Sequence, residues 1–334
     1  MHGIGVICFK TLAYNDSKLF LRVLFFMRPT LKALQEGSSR GNLQVVTTAM
    51  NRPVAGATVT ISYTGEPDSI IERLTTNDSG RTEMISLPTP PIELSLNPGI
   101  EQPYSEYTVQ VLAEGYEPFD VSGTEILQDT TSVQPVRLNP VTAQNGGQNI
   151  VIPAHTLYGD YPPKIAEAEI KPVGEPGEIV LSRVVVPETV VVHNGVPTDS
   201  TAQNYYVPYR DYIKNVASSE IYATWPRATI VANVLAIMSF TMNRVYTEWY
   251  RNKMFDFTIT SSTAFDHKWI PERNIFDSIS EVVDEIFDQY LSRPDVKQPI
   301  LTQYCDGQRS KCPEWMTLFQ KPIEDRTTDF GFLS

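Results

Sequence analysis

Residues 53–63, PVAGATVTISY, join a turn to a β-strand. The first five residues favour a turn, because Pro53 restricts the backbone dihedral φ and Gly56 permits conformations that other residues avoid. In TVTISY, residues 58–63, polar and apolar side chains alternate with the two-residue period of a half-buried strand. The stretch therefore predicts a strand that buries one face in a β-rich core.

Strand patterns of the same kind flank this stretch on both sides. They are LQVVTT (43–48), TEMISL (82–87), YTVQVLAEGYEPF (107–119) and VQPVRL (133–138). TNDSG, residues 76–80, predicts a tight turn in which Asp78 and Ser79 bond their own backbone and Gly80 takes a positive φ. Residues 42–140 are therefore predicted to form one all-β sandwich.

Three pieces of this sandwich resemble the carboxypeptidase-regulatory-like, or transthyretin-like, family. They are PVAGATV, TNDSG and YTVQVLAEGY, and they follow one another in the family's order. The resemblance implies a transthyretin-like β-sandwich that acts as a spacer or an adhesion module and carries no chemistry of its own.

Two segments lack the periodicity of helices or strands. The atypical N-terminal segment, residues 1–41, contains an apolar run, LFLRVLFFM (19–27), which Arg22 interrupts. Because a membrane span needs about 20 residues, no stable transmembrane span is predicted, while a signal peptide and a misassigned start codon both stay open. Residues 141–177 are rich in Pro and Gly and are interpreted as a linker or as an extended strap over the next domain.

Residues 178–334 mix strand and helix patterns and predict an α+β domain. EIVLSRVVVPETVVVHNG (178–195) has two β-branched runs and ends in Asn194-Gly195, a hairpin signal. ILTQYC (300–305) predicts a further short strand. Three main helices are predicted: one from about Val207-Pro208, a buried one over 228–248 and an amphipathic one over 275–291.

The first of these helices carries a candidate catalytic residue. Tyr209, Ile213, Val216 and Glu220 are spaced so that they share one helix face, which places Glu220 on an apolar stripe near the helix C-terminus. Burial and the negative end of the helix dipole both oppose ionisation, so this carboxyl is expected to stay protonated near neutral pH, as a general acid requires. The alternative is a helix-end glutamate whose tip reaches solvent.

The sequence around Glu220 resembles the stage II sporulation protein D / amidase enhancer family. YIKNVASSEIYATWP, residues 212–226, is similar to the family signature Y-L-K-G-V-V-A-A-E-M-P-x-x-W-P, and weaker similarity extends over residues 178–315. The resemblance implies that Glu220 is the acid/base of a lytic transglycosylase that cuts cell-wall glycan strands. Tyr222 and Trp225 are candidates for stacking on sugar rings, with burial in the core as the alternative.

The chain departs from that family at several positions. Met238 stands where the family has an arginine, and Arg244, six residues on, does not share its helix face. Asp266 stands where the family has a cysteine that can bind zinc, so no metal and no cofactor are predicted. Cys305 and Cys312 are interpreted as a disulfide or as two quiet thiols, and the domain looks incomplete at its C-terminus.

Charge narrows the partners that the chain is expected to have. The net charge of −12, from 27 basic and 39 acidic residues, opposes binding to nucleic acid. The resemblance implies peptidoglycan glycan strands as the partner, a cell-wall amidase as a further candidate, and a location in the cell wall or spore envelope. The alternative function is a non-catalytic peptidoglycan-binding, amidase-enhancing or spore-envelope structural protein.

Overall fold

The structure, a computed structural model, describes residues 39–99, 101–142, 146–157, 162, 165, 181–293 and 298–303. The predictions for the apolar run at 19–27, for Cys305 and Cys312 and for the C-terminal tail fall outside these residues. Within them, the chain is β-rich with a few helices, and the helices longer than one turn follow the sandwich strands. The coarse prediction of a β-rich chain that also contains helices is therefore confirmed.

The described residues between 39 and 157 form nine strands and one helical turn, α1 (Glu93–Leu96). The strands are β1 (Arg40–Ala49), β2 (Arg52–Pro53), β3 (Thr58–Tyr63), β4 (Glu66–Thr75), β5 (Ile85–Pro88), β6 (Ser105–Leu112), β7 (Phe119–Ile126), β8 (Thr131–Arg137) and β9 (Gln148–Val151).

These strands form two sheets around one apolar core. In the first sheet β1 lies between β8, which is parallel to it, and the antiparallel strands β2 and β5. In the second sheet the order is β4-β3-β6-β7-β9, with β7 and β9 parallel. Strand β1 alternates buried and partly exposed residues along its length, as predicted for a strand with one buried face. Side chains from both sheets fill the core, among them Leu43, Val45, Val59, Ile61, Val109 and Phe119.

The predicted turn at residues 76–80 is present but uses a different side chain. The Asn77 carboxamide oxygen accepts the backbone N–H groups of Ser79 and Arg81, at 2.9 and 3.1 Å. Gly80 has φ +70°, and a Cβ there would lie 2.4 Å from the carbonyl oxygen of Thr47. The requirement for glycine is therefore both conformational and steric.

In the described residues from 181 onwards there are three longer helices and four short strands. They are β10 (Thr189–His193), β11 (Asn204–Pro208), α2 (Tyr209–Glu220), α3 (Arg227–Tyr246), β12 (Ile259–Thr260), β13 (Ile275–Phe276) and α4 (Asp277–Ile286). Strands β11, β10 and β12 form a small sheet. Helix α3 has the length and mean hydropathy, 1.3, of a membrane span, but 61% of that window is buried inside the protein.

Several predicted elements differ from those observed. Residues 107–119 form β6 and the first residue of β7, separated by a turn at Gly115, where φ is +82°. Asn194-Gly195 opens a connection of ten residues, 194–203, rather than a two-residue hairpin. The predicted strand at 300–305 is irregular over the described residues 300–303, where the Thr302 hydroxyl donates to the carbonyl of Ala236 in α3 at 2.5 Å.

Two strands that lie outside the predicted sandwich, residues 42–140, pair with its sheets. Strand β9, which falls inside the predicted linker, adds to β7 at the edge of the second sheet. Strand β13, placed in the predicted helix at 275–291, pairs instead with β8 of the first sheet. Gly123 permits the strap after β9 to pass closely, since a Cβ at this position would lie 2.5 Å from the Ile152 carbonyl oxygen. The sandwich and the helical part are therefore joined by backbone pairing as well as by side chains.

Candidate functional site

Glu220 is the last residue of α2, and its carboxyl group is held by the protein rather than projecting freely into solvent. The backbone N–H of Lys268 donates to its Oε1 at 2.7 Å, and the residue as a whole is half-buried. Lys268 also reaches the strap after β9, where its Nζ donates to the Ala154 carbonyl at 3.1 Å. Glu220 therefore lies where helix α2 meets the segment that contains Lys268.

This segment, residues 266–270, runs along α2 and is attached to it at several points. Buried Tyr212 contacts the Nδ1 atom of His267 through its hydroxyl at 3.2 Å. The Asn215 side chain donates to the Ile270 carbonyl at 2.7 Å and accepts the Ile270 N–H at 3.0 Å. Because these side chains recur at helical spacing before Glu220, the same helix orients the carboxyl and the amide that binds it.

Asp266 is a buried anchor for the segment. Its carboxylate accepts hydrogen bonds from Arg244 Nε at 2.7 Å, from the Tyr250 hydroxyl at 2.6 Å, and from the backbone N–H and hydroxyl of Thr260 at 2.9 and 2.6 Å. The side chains of Arg244 and Asp266 are both fully buried. The acidic side chain at this position is thus neutralised by an arginine from α3.

These contacts change the interpretation of two sequence positions. Arg244, which the sequence places off the helix face of Met238, is the buried partner of Asp266, while Met238 lies in the apolar core. The residues at the position of the family's metal-binding cysteine do not fit a metal ion, since both Asp266 oxygens already accept hydrogen bonds from the protein. Among the described residues there is also no group of three or more side chains suited to holding a metal.

Tyr212 supplies a phenol that stays protonated beside Glu220. Burial raises the pKa of Tyr212 well above its usual value, and the negative charges of Asp266 and Glu220 raise it further. The hydroxyl can therefore donate or accept hydrogen bonds at this site without itself ionising.

Tyr222 and Trp225 face the sandwich in this structure. Tyr222 is only 3% exposed, its ring lies 4.8 Å from that of His155, and its hydroxyl reaches the His155 carbonyl at 3.5 Å. Trp225 is half-buried and donates its indole N–H to the carbonyl of Ser95 at 2.9 Å. Stacking of Tyr222 on a sugar would require it to leave this packing, and substrate binding by Trp225 stays a prediction.

A second buried ionic cluster lies where the sandwich meets the helical part. Arg273 Nη2 donates to Glu125 Oε2 at 2.5 Å, and Arg273 Nε donates to the carbonyl of Ser218 in α2 at 2.8 Å. His155 Nδ1 lies 3.1 Å from the same Glu125 oxygen, and all three ionisable side chains are fully buried. The sequence analysis missed this cluster, because Glu125 is one of several polar side chains in β7 and its partners lie 30 and 148 residues away.

The cluster shifts the pKa values of two of its members. Burial lowers the pKa of His155 to about 4, against a smaller opposing effect of Glu125. For Glu125, burial acts to raise the pKa, but Arg273 and His155 together outweigh it and the pKa is lowered. The cluster at neutral pH therefore contains a carboxylate, a guanidinium and a neutral imidazole.

Comparison with known proteins places the chain near no characterised family. No family model matches it, and no curated protein matches it. The Bacillus anthracis TIE protein is 19% identical over 31% of this chain and 17% of its own, with a TM-score of 0.23. The minor pilin GBS52 of Streptococcus agalactiae is 15% identical over 35% of this chain and 48% of its own, with a TM-score of 0.22.

The other similar structures include 3-chlorocatechol 1,2-dioxygenase from Rhodococcus opacus 1CP. It is 11% identical over 32% of this chain and 62% of its own, with a TM-score of 0.23. The chain spans less than two thirds of each of these three proteins, and likenesses of this extent carry no argument about function. What the fold and the site define is a β-rich chain whose helical part holds a half-buried glutamate at a helix end.

Proposed function

We propose that this chain acts on peptidoglycan, with Glu220 as the acid/base of a lytic-transglycosylase-like cleavage of glycan strands. The proposal treats residues 42–140 as a transthyretin-like spacer and the helical part as a domain of the stage II sporulation protein D type. The observation that carries it is the 2.7 Å hydrogen bond from the Lys268 N–H to Glu220 Oε1. A carboxyl group held by one oxygen keeps a defined orientation for proton transfer.

A single carboxyl is sufficient for this reaction. Glu220 donates its proton to the glycosidic oxygen as the bond from C1 to that oxygen breaks. The 6-hydroxyl of the same sugar then forms a bond to C1 and returns its proton to Glu220, which yields a 1,6-anhydro sugar. No water and no second carboxylate take part, in contrast to the usual two-carboxylate glycosidases.

A second candidate function is binding without cleavage. The packing of Tyr222 against His155 and the bond from Trp225 to Ser95 use aromatic side chains that a sugar-binding cleft would otherwise present. At position 238, α3 has a methionine where the family that this chain resembles has an arginine. These contacts favour a wall-binding or amidase-enhancing protein that keeps the fold and lacks the activity.

Product analysis separates the two functions. Incubation of the protein with glycan strands stripped of stem peptides is expected to release anhydro-muramyl products, detected by mass spectrometry. The Glu220→Gln variant should release none, because its amide cannot donate a proton as a carboxylic acid does. Glu281→Gln, at an exposed position of α4, is the matched control and should keep full activity.

Binding measurements decide what a lack of products means. Co-sedimentation of the wild-type protein with purified peptidoglycan, without product release, would support the second function and exclude the first. If the protein neither binds peptidoglycan nor releases products, both functions are excluded. The proposed location in the cell wall or spore envelope is then excluded as well. Added cell-wall amidase tests the remaining partner, since an enhancer should raise the amidase rate in the same mixture.

A further inference from the structure

The orientation of Glu220 depends on a backbone amide in an irregular segment. Lys268 N–H makes the hydrogen bond to Glu220, and residues 267–270 belong to neither a helix nor a strand. A segment of this kind has no ladder of backbone hydrogen bonds to hold it in place. Its position must therefore come from the side chains attached to it on either side of Lys268.

The attachment before Lys268 is the buried carboxylate of Asp266. The four hydrogen bonds that it accepts come from α3, from the turn that follows α3, and from β12. Breaking a buried ion pair by removing one partner leaves the other charge uncompensated, which is strongly unfavourable. Asp266 is therefore fixed in place as long as Arg244 neutralises it.

Arg244 holds the backbone of the segment as well as the side chain of Asp266. Its Nη2 atom donates to the carbonyl of Phe265 at 3.1 Å. Its guanidinium group lies over the Phe240 ring of the same helix, 4.7 Å from the ring centroid. One side chain of α3 thus restrains two consecutive residues just before Lys268.

The attachment after Lys268 comes from α2. Asn215 binds both backbone groups of Ile270, so Lys268 lies two residues from an anchor on each side. The anchors differ in origin, because Asn215 belongs to the helix that carries Glu220 and Arg244 belongs to the next helix. The Arg244 attachment ties the Lys268 amide to α3 by hydrogen bonds, next to the packing of the His267 ring on Phe240, whose ring centroids are 4.5 Å apart.

We infer that Arg244 is a positioning residue for Glu220 and acts through Asp266 and the Lys268 amide. The inference that this arrangement serves catalysis rests on the proposed function. The structural part of the inference, that Arg244 keeps the Lys268 N–H directed at the Glu220 carboxyl, does not depend on that function.

Hydrogen exchange of the Lys268 amide, measured by NMR on the full chain, tests the arrangement without reference to activity. In Arg244→Lys the charge is kept but the bond to the Phe265 carbonyl is lost. The Lys268 amide should then exchange about tenfold faster or more, while the amides of β3 exchange as in the wild type. An unchanged rate at Lys268 would overturn the inference.

A destabilised control distinguishes positioning from general loss of stability. Val136→Ala opens the sandwich core, away from Arg244, and should speed the exchange of the β3 amides while leaving the Lys268 exchange rate unchanged. If the wild type cleaves glycan strands, Arg244→Lys should lower kcat about tenfold with KM unchanged. If the wild type is inactive, the proposed function fails, and the exchange rates still decide whether Arg244 positions Glu220.

Discussion

Two buried ion pairs among the described residues are alike in burial and differ in how their polar atoms are satisfied. The side chains of Arg244–Asp266 and of Arg273–Glu125 are all fully buried. Both oxygens of Asp266 accept hydrogen bonds from the protein. In the other cluster, Glu125 Oε1, His155 Nε2 and Arg273 Nη1 are buried and have no hydrogen-bond partner among the described residues.

The difference follows from where the partners come from. Asp266 is bound by residues 6, 16 and 22 positions away, all in the helical part. Glu125 is bound by His155 and Arg273, 30 and 148 positions away, where two packing units meet. In this chain local partners saturate Asp266, whereas the cluster assembled from distant segments has three polar atoms unpaired among the described residues, each at a cost of about 1–3 kcal/mol. Substitutions in the interface cluster should therefore lower the free energy of unfolding more than substitutions around Asp266.

The largest expected effect is that of removing the interface cation. Arg273→Met leaves Glu125 buried without its guanidinium and also removes the bond to Ser218. The free energy of unfolding should fall by about 3–5 kcal/mol, measured by urea denaturation. Arg227→Met is the matched control, since this arginine and its partner Glu285 are both exposed, so it should cost about 1 kcal/mol or less. Equal losses in the two variants would contradict the role given to the interface cluster.

The second prediction concerns acid sensitivity. The pKa of His155 is about 4 in the folded chain and about 6.5 when unfolded, so between these values the unfolded chain binds more protons. The free energy of unfolding should keep its full value when the pH is above the unfolded pKa of His155. It should fall by roughly 3 kcal/mol as the pH drops towards 4. The lowered pKa of Glu125 acts in the same direction, because its contribution is present above its unfolded pKa and is lost on further acidification through its folded pKa.

His155→Gln tests whether that histidine is the source of the pH dependence. The variant has no imidazole to protonate, so the slope of unfolding free energy against pH should flatten between about 6.5 and 4. Denaturation curves at a series of pH values provide the measurement. A slope as steep as that of the wild type would assign the acid sensitivity to other groups.

The smallest expected effect belongs to the saturated cluster. Tyr250→Phe removes one of the hydrogen bonds to Asp266 and should lower the free energy of unfolding by about 1–2 kcal/mol, since three remain. Tyr209→Phe is the control, because that buried hydroxyl has no hydrogen-bond partner among the described residues and its loss should cost about 0.5 kcal/mol or less. Thermal or urea unfolding compares the two. A larger loss of stability in Tyr209→Phe than in Tyr250→Phe would contradict a stabilising hydrogen bond from Tyr250 to Asp266.

Much of the local structure was predictable, because its signals lie within a few residues. The alternation in TVTISY corresponds to β3, and Pro208 immediately precedes α2, as its fixed φ and missing N–H favour. Strand β4 was missed because it is an edge strand with little regular burial. Strands β9 and β13 were missed because each is short and is defined by its partner strand rather than by its own pattern.

For the candidate site as well, the local sequence predicted some features and not others. The spacing in α2 was enough to place Glu220 near the end of a helix with an apolar face. It gave no indication that the Lys268 amide, 48 residues later, binds that carboxyl, or that Tyr222 packs against a histidine of the strap.

The sequence by itself determined the period of strands such as β3 and of the three longer helices, and the position of Glu220 on α2, since these depend on neighbours within one or two turns. Only the tertiary structure decided that Arg244 neutralises Asp266 and that Arg273 joins Glu125 across the interface. The physical reason is that a buried charge takes whichever partner packing brings within hydrogen-bonding distance, and packing depends on the whole chain.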